Sequence, residues 1–275
     1  MSPPLPPPVG LIAGEGPFPV LFAKMARRAG RRVVACAIVG AAPDEVEGAA
    51  NRTFRVKLGK IGKILDHFRA EGVTDIVMCG RIRKEIFFKN PAIDVVGLKL
   101  LAKLKDMRTA SILASCADFL DEQGFSVKPS VLFLGEYLAT AGVMTRRKPD
   151  KREKEDIEFG VRMAQAMADL DVGQTVVVKN RIVVAAEAVE GTDETIDRAG
   201  RIAGDGCVVV KMNSPRRDLR FDVPTIGINT IRRMKTAGAT VLAVQSGHSL
   251  LLEKEQLLEE ANEAKISVVG ADPRS

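Results

Sequence analysis

Along the first half of the chain, short apolar runs alternate with amphipathic stretches of helical spacing. Val9 to Ala13 reads as a strand. Phe18 to Ala29 reads as a helix, with Leu21, Phe22, Met25 and Ala29 on one face. Arg32 to Val39 is an apolar run of buried-strand type, and Thr53 to Leu58 puts Phe54, Val56 and Leu58 on one side. A helix over Gly59 to Ala70, a strand over Asp75 to Cys79, a helix over Thr109 to Glu122, and strands over Phe125 to Lys128 and Val131 to Leu134 complete the series. Regular alternation of this kind predicts a largely parallel sheet covered on both faces. Such sheets bind ligands beyond the carboxyl ends of their strands.

The pattern changes after Thr145-Arg146-Arg147-Lys148-Pro149-Asp150-Lys151-Arg152-Glu153-Lys154, a charge run that contains no apolar residue. It reads as a linker or an exposed helix entry. Beyond it a helix is predicted from about Glu155 to Ala168. Two strands, Thr175 to Val178 and Ile182 to Ala186, follow, joined by the hairpin signal Lys179-Asn180-Arg181. Thr192 opens a helix that ends near Gly204, as a capping-box candidate in an imperfect Thr-x-x-Thr. Strands at Cys207 to Lys211, Thr240 to Gln245 and Ile266 to Val269 alternate with helices at Thr230 to Ala237 and Glu253 to Ala264. The expected fold class is therefore α/β. A Rossmann-like, mostly parallel domain at 1–140 (with 1–8 a disordered, Pro-rich tail) leads through a linker at 141–152 to a mixed α/β domain at 153–275.

A length of 275 residues suits two such domains, each with its own core. The net charge of +6 is uneven: residues 1–145 carry 20 Lys+Arg against 14 Asp+Glu, and the remainder carries 21 of each. The basic first half favours an anionic ligand there. Aromatic content of 4% with no Trp argues against stacking on single-stranded nucleic acid, and no helix-turn-helix, zinc or RNA-recognition signature is present. Cys36, Cys79, Cys116 and Cys207 form no CxxC pair; Cys36, Cys79 and Cys207 fall in apolar runs and read as reduced core thiols of a cytoplasmic protein. No run approaches the ~20 apolar residues of a membrane span, so any membrane contact is expected to be peripheral.

Candidate chemistry falls in two places. In the first half, Gly14-Glu15-Gly16 follows the first strand where a phosphate-binding turn belongs, although Pro19 replaces the third glycine of a dinucleotide fingerprint. Gly80-Arg81-Ile82-Arg83-Lys84 ends another strand with cations that suit a diphosphate, and Lys105 is a weaker contact candidate. In the second half, Glu187, Glu190 and Asp193 stand three apart, with Thr192 and Gly191 beside them. Asp222 lies in Arg220-Phe221-Asp222-Val223-Pro224, and Lys211, Arg216, Arg217 and Arg220 are near it in sequence. Carboxylates that hold Mg²⁺ or Mn²⁺, with cations alongside, are the parts of phosphoanhydride hydrolysis. Each also has a bland reading: a tight turn, a solvated basic loop, or acidic residues that cap a helix.

Five blocks, Gly10 to Pro19, Met78 to Ile82, Leu170 to Val178, Glu187 to Asp193 and Asp218 to Gly227, resemble in order the two-domain UDP-2,3-diacylglucosamine pyrophosphatase family of lipid A biosynthesis. That family is distinct from the metallophosphoesterase type and shares the Pro in place of the third glycine. The resemblance implies a Mg²⁺-dependent hydrolase that splits UDP-2,3-diacylglucosamine into UMP and 2,3-diacylglucosamine 1-phosphate by attack on the sugar-side phosphorus. It implies a substrate held between two domains, and a cytoplasmic enzyme peripheral to the inner membrane. Asp222 is the residue it ranks first for catalysis. Glu190 and Asp193, with Glu187, would complete the metal set, and Gly14, Glu15, Gly16, Gly80, Arg81, Lys84, Lys105, Thr192, Lys211 and Arg220 would contact substrate. Oligomeric state is left open, a homo-oligomer included. Two rival readings stand beside it: a non-catalytic nucleotide-sugar or lipid-binding module, and an NAD(P)-dependent oxidoreductase. The latter lacks an acidic residue closing the second strand.

Overall fold

A computed structural model describes residues 6–82, 93–104, 109–214, 218, 220 and 223–272. The chain divides into two compact units, Met1–Leu134 with Asp218–Asp222, and Gly135–Arg217 with Val223–Ser275.

The first unit runs β1 (Val9–Ala13), α1 (Phe18–Arg28), β2 (Val33–Ile38), α2 (Glu45–Ala49), β3 (Arg52–Val56), α3 (Ile61–Ala70), β4 (Asp75–Cys79), α4 (Val95–Ala102), α5 (Thr109–Glu122) and β5 (Ser126–Val127). Its five strands pair in the order β3-β2-β1-β4-β5, all in parallel. Strand β2 is buried at every position, as an apolar run covered on both faces should be. Cys36, Ile38, Ile64, Phe68 and Ile76 share one core cluster. From β1 the chain steps outward to β2 and β3, then returns to β4 on the other side of β1. That reversal makes β1/β4 the switch point of the sheet. All four cysteines are free, and burial pushes the Cys36 thiol up to about 12 and the Cys79 thiol well above its ordinary range. Both stay protonated at neutral pH and serve as core hydrophobes.

The second unit contains β6 (Gly142–Val143), α6 (Lys151–Asp169), β7 (Thr175–Lys179), β8 (Ile182–Ala186), α7 (Thr192–Ala203), β9 (Val208–Lys211), β10 (Thr225–Ile226), α8 (Ile228–Thr236), β11 (Val241–Gln245), β12 (Leu250–Leu251), α9 (Lys254–Glu263) and β13 (Ser267–Ala271). Six strands form a mixed sheet, β6-β13-β11-β9-β7-β8, in which β13, β11 and β9 are mutually parallel and β6, β7 and β8 add antiparallel pairings. Alternation along the strands divides the core. Val176, Val178, Val208 and Val210 face Ile157, Val161 and Ala164 of α6. On the other side Val177 and Val209 join Ile196, Ile231, Met234 and Leu257 of α7, α8 and α9.

Three expectations change. Val131 to Leu134 is a run of turns, not a strand: Leu132 N–H donates to Pro129 C=O and Leu134 N–H to Val131 C=O, which curls the chain straight after Pro129. Helix α6 starts at Lys151, four residues ahead of the expected Glu155. Its start is a full capping box, with the Asp150 carboxylate accepting from Glu153 N–H and Glu153 from Asp150 N–H. The charge run that leads into it is exposed at Arg146, Lys148, Asp150, Lys151, Arg152 and Lys154, as an exposed helix entry should be, while Arg147 pairs with the buried Glu153 and donates to Ser267 Oγ. Thr192 does not cap α7, since Gly191 is the N-cap and no side chain caps it.

Candidate functional site

In the first unit the two glycine turns clasp each other across the switch point. Gly14 N–H donates to Cys79 C=O at 2.8 Å, Glu15 N–H to Arg81 C=O at 2.7 Å, and Arg81 N–H back to Glu15 C=O at 3.3 Å. The approach is so close that a Cβ on Gly14 would lie 2.6 Å from the Arg81 carbonyl oxygen, and one on Gly80 2.6 Å from that of Glu15. Gly80 also sits at φ +90°, in the region that favours glycine. Gly14 and Gly80 are thus accounted for by backbone packing. The Gly14 and Glu15 amides are engaged within the clasp, and Gly16 is exposed at its outer edge with φ +88°. Arg81 is exposed beside it. Lys84 and Lys105 lie outside the described residues.

In the second unit the pairing of β7 with β9 sets Thr175 opposite Lys211. There the Thr192 hydroxyl joins three side chains. It donates to Glu187 Oε1 at 3.0 Å and accepts from Lys211 Nζ at 2.9 Å, with Thr175 Oγ1 at 3.2 Å. Because the one Thr192 proton goes to the carboxylate, Thr175 is the donor in that third contact. Gln174 N–H adds a longer bond, 3.3 Å, to Glu187 Oε2. This group lies at the carboxyl end of β9, where ligands of parallel strands bind. It offers an ammonium and hydroxyls for an anion and a carboxylate held in place by two donors.

The other two carboxylates point to different work. Glu190 pairs with Arg198 at 2.6 Å, and Arg198 also donates to Ala186 C=O at 2.7 Å, closing the 186–190 loop back onto α7. The Glu190 carboxyl is held below its usual range first by its own N–H, against an opposing burial effect second in size, with Ala188 N–H and Arg198 adding to the lowering. Asp193 sits in the first turn of α7, where the helix dipole favours an acid, and accepts from Thr230 Oγ1 of α8 at 3.2 Å. Among the described residues no three His, Cys, Asp or Glu side chains gather as a metal-holding group. Glu187, Glu190 and Asp193 therefore do not form a carboxylate cage with one another. Mg²⁺ asks for less, since one or two carboxylates commonly hold it together with substrate phosphates.

Asp222 lies outside the described residues, as do Arg216 and Arg217. Arg220 belongs to the first unit and is bound to Asp218 through Nε (2.8 Å), Nη2 (2.6 Å) and backbone N–H (2.9 Å), with Asp121 at 3.9 Å. Burial raises the Asp218 carboxyl, but the Arg220 guanidinium and N–H outweigh it and hold the group below its usual range. Thr175, Gln174 and Arg198 were not expected from sequence. The Thr175–Lys211 pairing follows once β7 and β9 are set antiparallel, whereas the Arg198–Glu190 pair has no short-range signal.

Comparison with known proteins places these features in a family. The LpxI N-terminal domain model matches residues 8–137 and the LpxI C-terminal domain model residues 140–269. A relative from Caulobacter vibrioides, described as UDP-2,3-diacylglucosamine pyrophosphatase LpxI, is 29% identical over 277 residues, covering 97% of this chain and 98% of its own. Among solved structures, an ADP complex of N5-carboxyaminoimidazole ribonucleotide synthetase aligns with 82% of this chain and 49% of its own, at 14% identity and a TM-score of 0.28. N5-carboxyaminoimidazole synthetase from Staphylococcus aureus aligns with 74% and 46%, at 14% identity and a TM-score of 0.26. This chain spans about half the length of those two enzymes, and likeness that remote carries no argument about function. Matched in order through both of its halves, the chain belongs to the LpxI family.

Proposed function

We propose that this protein hydrolyses the diphosphate bond of UDP-2,3-diacylglucosamine, giving UMP and 2,3-diacylglucosamine 1-phosphate in lipid A biosynthesis. The observation that carries the reading is the end-to-end match to a relative named for that activity, 97% of one chain against 98% of the other. In the reaction a water oxygen bonds to a phosphorus, the bridging P–O bond breaks, and the displaced phosphate oxygen leaves with its half of the substrate.

The first unit takes the nucleotide half in this reading. The Gly14–Gly80 clasp supports it by shaping the β1/β4 switch point, with Glu15, Gly16 and Arg81 exposed or half-buried around it; Lys84, Lys105 and Arg220 are further phosphate-contact candidates. The C-terminal half of the sequence, beyond a boundary near 141–152, carries the catalytic residues in this reading. Lys211 and the Thr192 hydroxyl hold a phosphate oxygen, and Asp222 orients and deprotonates the water. Mg²⁺, or Mn²⁺ in its place, would supply charge neutralisation on the phosphate oxygens, with Asp222 as a carboxylate ligand. Glu190 and Asp193 act through the shape of the α7 entrance. The acyl chains call for an apolar surface and a location against the inner face of the inner membrane. Among the described residues no helix is long and apolar enough to cross a membrane.

A UMP-release assay on purified protein with UDP-2,3-diacylglucosamine, with and without EDTA, tests this. Release that stops with EDTA and returns with Mg²⁺ is expected. Absence of release under any metal condition sinks the reaction, and release indifferent to EDTA removes the metal.

A further inference from the structure

Strand β7 begins at Thr175, in the Thr192 cluster, and ends at Lys179, about 13 Å further on at the rise of a strand. At that far end the two-residue turn Asn180-Arg181 has both φ angles positive, +54° and +58°. Such turns ordinarily carry Asn-Gly, because a side chain at the second position is strained. Here the position holds an arginine, fixed from below by Asp156, which is only 2% exposed. The Asp156 carboxylate accepts Asn180 N–H at 3.0 Å and Arg181 N–H at 2.5 Å.

Beside this turn lies a cleft of about 360 Å³ lined by Lys151, Arg152, Glu155, Asp156, Asn180 and Arg181. Three of the lining residues are cationic, all of them exposed to solvent. Of the two acids, Asp156 is committed to the turn amides, and Glu155 is held loosely, 3.9 Å from Arg181. Neither Lys151 nor Arg152 has an ion-pair partner among the described residues. The volume is at the small end of ligand pockets, roughly 300–1,000 Å³, and suits a compact group. Arginine forks and a lysine point charge are the donors that recognise a phosphate.

We propose that this cleft is an anion site for a phosphate monoester group, at the opposite end of β7 from the Thr192 cluster. The group can arrive on a small metabolite or on a lipid head group; the chemistry of capture is the same. The site is independent of the reaction proposed above.

The test is a titration of the full-length protein with inorganic phosphate at low ionic strength, read at the backbone amide NMR signals of Asn180 and Arg181. Saturable shifts are expected there, and the Lys151→Ala/Arg152→Ala double variant should weaken the apparent affinity about tenfold or more. Arg181→Gly is the sharper variant. It relieves the strained turn, so the melting temperature should hold or rise while phosphate affinity falls. Co-sedimentation with phosphatidic acid vesicles, against phosphatidylcholine vesicles, separates the two sources. Retention that the double variant abolishes identifies a head group, and phosphate binding without retention identifies a free ligand. Shifts that do not saturate, or that persist unchanged in the double variant, overturn the proposal.

Discussion

The two units arrange groups at the carboxyl ends of interior strands with different materials. At the β1/β4 switch point the first unit uses backbone. Amides and carbonyls of Gly14, Glu15, Cys79 and Arg81 lock two turns together, and the glycines matter for what they lack. At the carboxyl end of β9 the second unit uses side chains, with Thr192 joining Lys211, Thr175 and Glu187. A backbone clasp is indifferent to most side chains and intolerant of an added Cβ. A side-chain junction is the reverse. Substitutions in the first place should therefore act on folding, and those in the second on turnover.

The largest effect tests the clasp. Gly80→Ala forces a Cβ against the Glu15 carbonyl at a positive φ, and should cost about 3 kcal/mol of stability by denaturant unfolding. A loss well under 1 kcal/mol would mean that the turns separate readily. Asp156→Ala follows, since it strands the Asn180 and Arg181 amides; roughly 2 kcal/mol is expected from the same measurement. That variant marks the exception within the second unit, a side chain that works for the fold.

Thr192→Val sharpens the contrast from the other side. It keeps the shape, removes the hydroxyl from between Lys211 and Glu187, and should lower kcat/KM about tenfold, near 1.4 kcal/mol, while the unfolding midpoint moves little. Smallest is a pH effect in the first unit. His67 stacks on Phe54 with ring centroids 3.9 Å apart, and burial, then Lys63 and Arg52, lowers its pKa. The folded state disfavours the charged ring, so this contribution is present above the unfolded value of about 6.5 and fades as pH falls through the lower folded one. His67→Gln should flatten that part of the stability–pH curve.

Much of the scaffold was legible because burial leaves a strong mark. The apolar runs of β1, β2, β4 and β7 could hardly be anything else, and Asn180 between two such runs announced the hairpin. The two-residue strands β6, β10 and β12 leave no period to read, whereas the equally short β5 sits in the alternating Phe125-Ser126-Val127-Lys128. The start of α6 hid in its own charges, because a capping box and a solvated linker draw on the same residue types. The even spacing of Glu187, Glu190 and Asp193 does not bring their carboxylates together. Helix begins only at Thr192, so the three residues share no face, and each carboxylate finds a separate partner. The Thr192 junction brings together residues 17 and 19 positions apart through strand pairing, a distance no local pattern spans.

The central claim is hydrolysis of a diphosphate with Asp222 as the catalytic carboxylate. UMP release from UDP-2,3-diacylglucosamine by wild type and by Asp222→Ala, run side by side in Mg²⁺ with folding checked by thermal melting, tests it most directly. The account predicts steady release by wild type, a fall of about a thousandfold or more in the variant, and equal melting temperatures. Near-normal turnover by a folded Asp222→Ala protein would contradict it.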